Sequence, residues 1–249
     1  MRRRKVIALL FVMTAFRAAA QFSLLPQDAR GGSMGGVNSL LFDPERKVEV
    51  GFRNEFATAG MSTMRIGAML PLGEGWARLS YSKFGDVDYA EHRAVAGYGL
   101  RVADGFSVGV EGGMYALAVG DGRYPTQRWL GGAVAAKAVF SPRLWLTAVA
   151  GTRPWDAGRG WRMLAAMAYR PVNRFLTVVE VESEDRWRLR LGMEYSYRQH
   201  FFFRAGMSTA PLVLTAGVGV FYGRYALDVG MGRHPVLGIS PQLTLVVCF

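Results

Sequence analysis

The sequence is poor in the residues that build metal and redox centres. Cys248 is its one cysteine in 249 residues, which excludes a disulfide framework and a cysteine-based zinc site. Only three histidines, His92, His200 and His234, are present, so few side chains can act as a general base near neutral pH. Past the N-terminus no apolar run approaches the ~20 residues that a membrane helix needs. Stretches of helical period are almost absent. What remains is not the composition of a disordered chain, since 51% of residues are hydrophobic, 12% aromatic and only 20% charged.

Met1-Arg2-Arg3-Arg4-Lys5 is a basic start followed by an apolar stretch from Val6 to Phe16 and then Ala18-Ala19-Ala20. The apolar part is too short to span a bilayer, and small residues follow where a signal peptidase cuts. Residues 1–20 therefore read as a cleaved signal peptide, with Gln21 as the mature start. Their loss would leave 25 basic against 19 acidic residues, so much of the excess over the full chain's net +11 belongs to the address. An exported chain with its basic residues spread along it does not read as a nucleic-acid binder.

From residue 46 to 249 the pattern has period two. In the segment 186–198, Trp187, Leu189, Leu191, Met193, Tyr195 and Tyr197 share one parity, while Arg186, Arg188, Arg190, Glu194 and Arg198 share the other. Successive strand side chains point to opposite faces, so one face is oily and the other ionic. Fourteen such segments are expected, at about 46–56, 61–70, 75–84, 90–101, 104–118, 127–140, 143–152, 160–170, 174–182, 186–197, 200–208, 212–222, 224–232 and 237–249. Tight turns such as Pro71 to Glu74, Ser141-Pro142 and Pro171 to Asn173 alternate with mostly longer links such as Val119 to Thr126 and Arg153 to Arg159. That alternation predicts an all-β, antiparallel up-and-down transmembrane barrel, with the short turns and both termini on the periplasmic side of an outer membrane. The segments 127–140 and 143–152 are apolar on both parities, and their facing stays open. Trp76, Trp161, Trp187, Tyr169, Tyr195, Tyr197, Tyr222 and Tyr225 fall near segment ends, as in an interfacial aromatic girdle. Leu243, Leu245, Val247 and the terminal Phe249 share one face, like the C-terminal signal read by barrel assembly machinery; Leu245, Val247 and Phe249 would carry it.

With the polar parity turned inward, the lumen collects Arg53, Arg65, Arg78, Arg186, Arg188, Arg190 and Arg204 together with Glu111, Glu180, Glu182, Glu194 and Asp228. Arg93, Arg101, Lys137, Arg162, Glu49 and Glu55 fall on the same parity. Confined charges must pair or be hydrated. Their interspersed signs favour a network of ion pairs across a narrow or plugged lumen over an anion-selective channel.

Residues 21–45 precede the first strand. Within them, Asp28-Ala29-Arg30 through Ser33-Met34-Gly35-Gly36-Val37, followed by Leu41-Phe42-Asp43-Pro44, is similar to the opening of the FadL-type outer-membrane transporters. It resembles more closely that of their PorV/PorQ-like relatives, which are associated with type IX secretion in Bacteroidetes; His234-Pro235-Val236-Leu237-Gly238 also looks like the corresponding PorV-like region. The resemblance implies a fourteen-stranded barrel with the N-terminal segment folded into the lumen, where Arg30, Met34, Gly35 and Gly36 would form a plug. It implies an interaction or accessory role in protein secretion or envelope assembly. The alternative it carries is a transporter of hydrophobic or small anionic compounds.

An enzyme would need a nucleophile oriented beside a histidine, and no spacing in the sequence supplies one. Neither an enzymatic activity nor a cofactor or metal is expected. A FadL-type route would need an apolar internal pocket and a weak point in the wall, for which Gly112-Gly113 and Gly131-Gly132 are the candidates. A role through partners would use the extracellular rim, with Trp155, Arg159 and His234 as contacts. The expected surroundings are outer-membrane lipid, the assembly machinery and secretion-system or other envelope proteins.

Overall fold

The computed structural model describes residues 28–38, 46–120, 124–153, 160–183 and 186–249. The signal-peptide segment 1–20 lies outside the described residues. The strands are β1 (Lys47–Asn54), β2 (Ser62–Leu72), β3 (Gly75–Gly85), β4 (Tyr89–Ala103), β5 (Phe106–Val119), β6 (Gln127–Ser141) and β7 (Leu144–Arg153). They continue with β8 (Gly160–Val172), β9 (Phe175–Ser183), β10 (Trp187–Tyr197), β11 (Phe201–Ser208), β12 (Val213–Tyr222), β13 (Tyr225–His234) and β14 (Gly238–Cys248). Each pairs antiparallel with its sequence neighbour, and β1 pairs with β14 to close a fourteen-stranded barrel. Closure removes every free edge, which is what allows strands to cross lipid.

The two faces sort by parity throughout. Outward-pointing Val50, Phe52, Met64, Ile66, Leu79, Val110, Met163, Leu214 and Leu245 are exposed, while inward-pointing Glu49, Arg65, Arg162, Glu180, Arg190 and Thr244 are buried. This inverts the arrangement of a water-soluble protein and is the arrangement of a transmembrane barrel. The alternation of β6 and β7, ambiguous in sequence, resolves in favour of odd residues inside. Thr147 and Val149 are buried there, whereas Leu130, Val134 and Leu146 are exposed.

Inside the cylinder, residues 28–38 form a short plug. Asp28 caps a five-residue helix, α1 (Ala29–Ser33), its carboxylate accepting the Gly31 N–H at 2.6 Å. Beyond the helix Gly35 and Gly36 take φ of 79° and 81°, a left-handed conformation that residues with a Cβ resist. This turn returns the chain so that Met34, Val37 and Asn38 are all buried.

Candidate functional site

The candidate site is the lumen, whose contents divide into two halves. The half walled by β8–β14 is filled. Its ion pairs follow from strand register: Glu182 faces Arg188 and Glu180 faces Arg190 across β9 and β10, and Glu194 faces Arg204 across β10 and β11. Arg190 reaches Glu180 at 2.6 Å and also bonds Glu182, which accepts from Arg162 as well. Arg188 stands 3.6 Å from Glu182. On the next strands, Glu194 accepts from Arg204 at 2.7 Å and, through both oxygens, from Arg30 of the plug at 2.8 and 2.9 Å. Arg204 continues to Asp228 on β13, two strands away. Gly219 on the intervening strand makes this possible, since a Cβ there would collide with both the guanidinium and the carboxylate.

The plug is seated by neutral polar groups as well as by Arg30. The Ala29 N–H donates to Thr244 Oγ1 at 2.9 Å, the Gly35 N–H donates to Thr215 Oγ1 at 2.8 Å, and the Asn38 N–H donates to Glu180 at 2.9 Å. Thr215 in turn donates to the Ser33 carbonyl at 2.9 Å. Beneath these bonds the wall is bare. Side chains added at Gly192, Gly206, Gly217 or Gly230 would run into Met34, Gly35 or Ser33. Met34 and Val37 pack with Ala168, Leu176 and Val178 into an apolar cluster that has Trp145 at its margin. Burial pushes the Asp28 carboxyl up, but Arg65, Lys47, the Gly31 N–H and Arg30 together outweigh it and hold the group below its ordinary value.

The half walled by β3–β7 is built differently. Large inward side chains such as Arg93, Val95 and Tyr115 are buried here too. Next to them stands a patch of small residues, Gly97 and Gly99 on β4, Gly109 on β5, and Ala133 and Ala135 on β6, with Ala133 and Ala135 packed on an apolar cluster of Val149, Leu164 and Ala166. Over this thin wall lies a cavity of about 30 Å³, bounded also by Met69, Trp76, Arg78 and Glu111. Arg78 and Glu111 face the same residue, Gly97, from either side, and they meet across it at 3.6 Å. Arg93 joins Glu111 at 3.2 Å, and Arg65 pairs with Glu49 at 3.1 Å. The two sequence-level weak points prove to be one place. Gly112 pairs with Gly132 and Gly113 with Gly131, so four glycines face one another across β5 and β6.

The structure corrects several sequence readings. Arg186 does not reach the lumen network: it precedes β10, beyond the end of the barrel wall, and is exposed. Arg101, also assigned inward, is exposed at the short-turn end. Trp76 is not part of an outer girdle but lines the internal cavity. Arg53 pairs with Glu55 at 2.7 Å. His234 turns onto its own loop, where the Val236 and Leu237 N–H groups donate to its Nδ1 at 3.2 and 3.1 Å. Trp155 and Arg159 lie outside the described residues. Leu245 and Phe249 are exposed and Val247 half-buried along β14. Sequence reasoning missed the plug's neutral partners Thr215, Gln242 and Thr244 and the plug's own Asn38. The one signal for them was the inward parity of Ser240, Gln242 and Thr244.

No family model matches the sequence, and no curated protein matches it. Solved structures do match in fold. The Pseudomonas putida toluene transporter TodX aligns with a TM-score of 0.66 at 11% identity, covering 91% of this chain and 98% of TodX. The CymD monoaromatic hydrocarbon channel aligns with a TM-score of 0.64 at 11% identity, covering 92% of this chain and 99% of CymD. At that identity the likeness is one of fold.

Proposed function

We propose that this chain is an outer-membrane channel of the FadL type that passes a small hydrophobic compound through its wall, with both termini in the periplasm. The observation that carries the reading is the meeting of two diglycines, Gly112-Gly113 and Gly131-Gly132, next along their strands to Glu111 and Ala133, which line the internal cavity. The outward Gly112 and Gly132 put no side chain on the outer face of the β5–β6 seam, while Val95 and Tyr115 press on Gly113 from inside. Parting the seam there therefore sacrifices backbone bonds and packing on one face only. The cavity, at about 30 Å³, is far below the ~150 Å³ that an apolar site uses to hold benzene. A compound of that size therefore does not fit the cavity as it stands, and passage requires the seam to open. The fold shared with a toluene transporter and a monoaromatic hydrocarbon channel supports an apolar cargo.

Locking the seam tests this. In a Cys248→Ser background, the pair Gly112→Cys and Gly132→Cys stands at directly facing positions, within the reach of a disulfide. Cells of a Gram-negative host expressing the wild type should take up radiolabelled toluene several-fold faster than vector controls. Oxidising the paired variant should return uptake to the control level, and reductant should restore it. Uptake at the control level in the wild type, or no effect of the crosslink, overturns the reading.

A second reading is an accessory or interaction component of secretion or envelope assembly, resembling PorV and PorQ. The filled β8–β14 half favours it, because a sealed lumen suits a barrel that works through its rim. Co-purification of envelope proteins, lost when Trp155 and Arg159 are both changed to Ala and accompanied by no toluene uptake, would select it over the channel.

A further inference from the structure

The excess of basic charge has a definite place. The lumen comes close to balancing itself: Arg162, Arg188 and Arg190 meet Glu180 and Glu182, and Arg30 and Arg204 meet Glu194 and Asp228. The end of the barrel that carries the short turns does not. Exposed arginines stand there at Arg101 beside the β4–β5 turn, Arg143 at β6–β7, Arg174 at β8–β9, Arg198 at β10–β11, Arg224 at β12–β13 and Arg46 where β1 meets β14. Six of the seven junctions at that end thus present one arginine each, and the seventh, β2–β3, carries Glu74. Asp104 is the other exposed acidic side chain among the described residues there. Among the described residues none of the six arginines takes part in an ion pair. The opposite end mixes Arg128, Arg186 and Arg233 with Asp86 and Asp88.

We propose that this arginine ring binds the phosphates of anionic phospholipid in the leaflet at the short-turn end. Three observations select a lipid over a protein partner. The ring runs round the circumference instead of gathering on one side, which matches a ligand that surrounds the barrel. It stands beside an outward aromatic belt of Phe140, Tyr169, Tyr197, Tyr222 and Tyr225, all exposed, and such belts sit at headgroup level. Arg198 lies over the Tyr197 ring, 5.2 Å from its centroid, so its charge is held at that level. All six are arginines, whose forked donors match phosphate oxygens, and basic groups beside a membrane surface attract anionic headgroups.

The test uses the full barrel purified in detergent, stripped of lipid and titrated with phosphatidylglycerol, phosphatidylcholine or inorganic phosphate, with bound lipid counted by native mass spectrometry. Wild type should retain phosphatidylglycerol at least fivefold better than phosphatidylcholine, and millimolar inorganic phosphate should not displace it. Changing all six arginines to Gln should remove that preference, with heat-shifted gel mobility reporting that the barrel is folded. Should that variant not fold, the triples Arg46→Gln, Arg101→Gln, Arg143→Gln and Arg174→Gln, Arg198→Gln, Arg224→Gln should each lose about half of the bound anionic lipid. Equal retention of the two lipids, or unaltered retention in the variants, overturns the proposal. Displacement by inorganic phosphate would assign the ring to free anions, and loss of an acidic envelope protein with lipid retention intact would assign it to a protein; either result also overturns it.

Discussion

The two halves of the lumen solve one problem in opposite ways. A barrel of fourteen strands encloses more volume than inward side chains of ordinary size fill, and the remainder must be occupied or left as cavity. The β8–β14 half uses long charged side chains and a returned piece of backbone, so that Glu180 and Glu182 are wholly buried. The β3–β7 half mixes large side chains with a patch of glycine and alanine and leaves a cavity over that patch. Glycine plays a different part in each. Under the plug its missing side chain is the seat of main chain from another part of the sequence, as at Gly192 and Gly217, whereas Gly112 opens on the outer face with nothing within 4 Å of where a Cβ would stand. The first half is built to hold something still, and the second is where the wall can give.

Unseating the plug would break the contrast most completely. A leucine at Gly192 would occupy the space of Met34, and a leucine at Gly217 that of Ser33. Overpacking of this kind costs about 1–3 kcal/mol per site, comparable to the few hydrogen bonds that seat residues 28–38. The double variant Gly192→Leu, Gly217→Leu should expel the plug while the closed ladder of wall hydrogen bonds persists. In planar bilayers the wild type should be silent and the double variant should conduct steadily. Silence of both, with a folded barrel, would mean that the ion-pair network seals the lumen without the plug.

How much of this contrast could be read from the chain depends on which physical rule governs each residue. Parity governs a strand facing two solvents, so Arg190 and Glu180 could be placed inside from sequence alone, and opposite charges at facing registers pair once inside. The rule fails where its premises stop. Arg186 has the inward parity but stands beyond the end of the wall, and Trp76 resembles a girdle residue by type although its parity points inward. The alternation of β6 and β7 was hidden because alanine and glycine suit either face. Thr215 and Thr244, which hold the plug, were invisible for another reason: a neutral hydroxyl on a strand looks like any other inward polar residue until the piece of chain it binds is in place. The coincidence of the two diglycines needed the register of β5 against β6, which composition does not supply.

Stability should report the contrast next. Glu182→Gln would leave Arg162 and Arg190 buried without their shared carboxylate, and breaking a buried pair by removing one partner costs about 3–5 kcal/mol. Glu111→Gln in the other half strips Arg78 and Arg93 of a more distant partner, at 3.6 and 3.2 Å, beside a cavity that can admit water. Its cost should be smaller, about 1–2 kcal/mol. Urea unfolding in detergent, followed by tryptophan fluorescence, gives both values. Equal losses would mean that the halves do not differ in how tightly their charges are held.

The smallest effect should come from the ion pair of Arg30 with Glu194, which joins plug to wall. Arg30 presents its Nε and one terminal nitrogen to the two oxygens of Glu194, and its side chain keeps 31% exposure. Lysine retains the charge but not the fork, and Arg204 continues to satisfy Glu194 from the other side. Arg30→Lys should therefore leave the unfolding midpoint of the barrel within error, because the wall does not depend on it. Local opening of the plug should become easier by about 1 kcal/mol, the worth of one hydrogen bond to a charged group after water takes its place. Amide exchange over residues 28–38 measures that opening directly, and a roughly fivefold faster exchange there, with strands β9 and β10 unchanged, is the expected result. Faster exchange in β9 and β10 as well would show that plug and ion-pair network move as one unit, and the filled half would then be a single cooperative block instead of a seat with something placed in it.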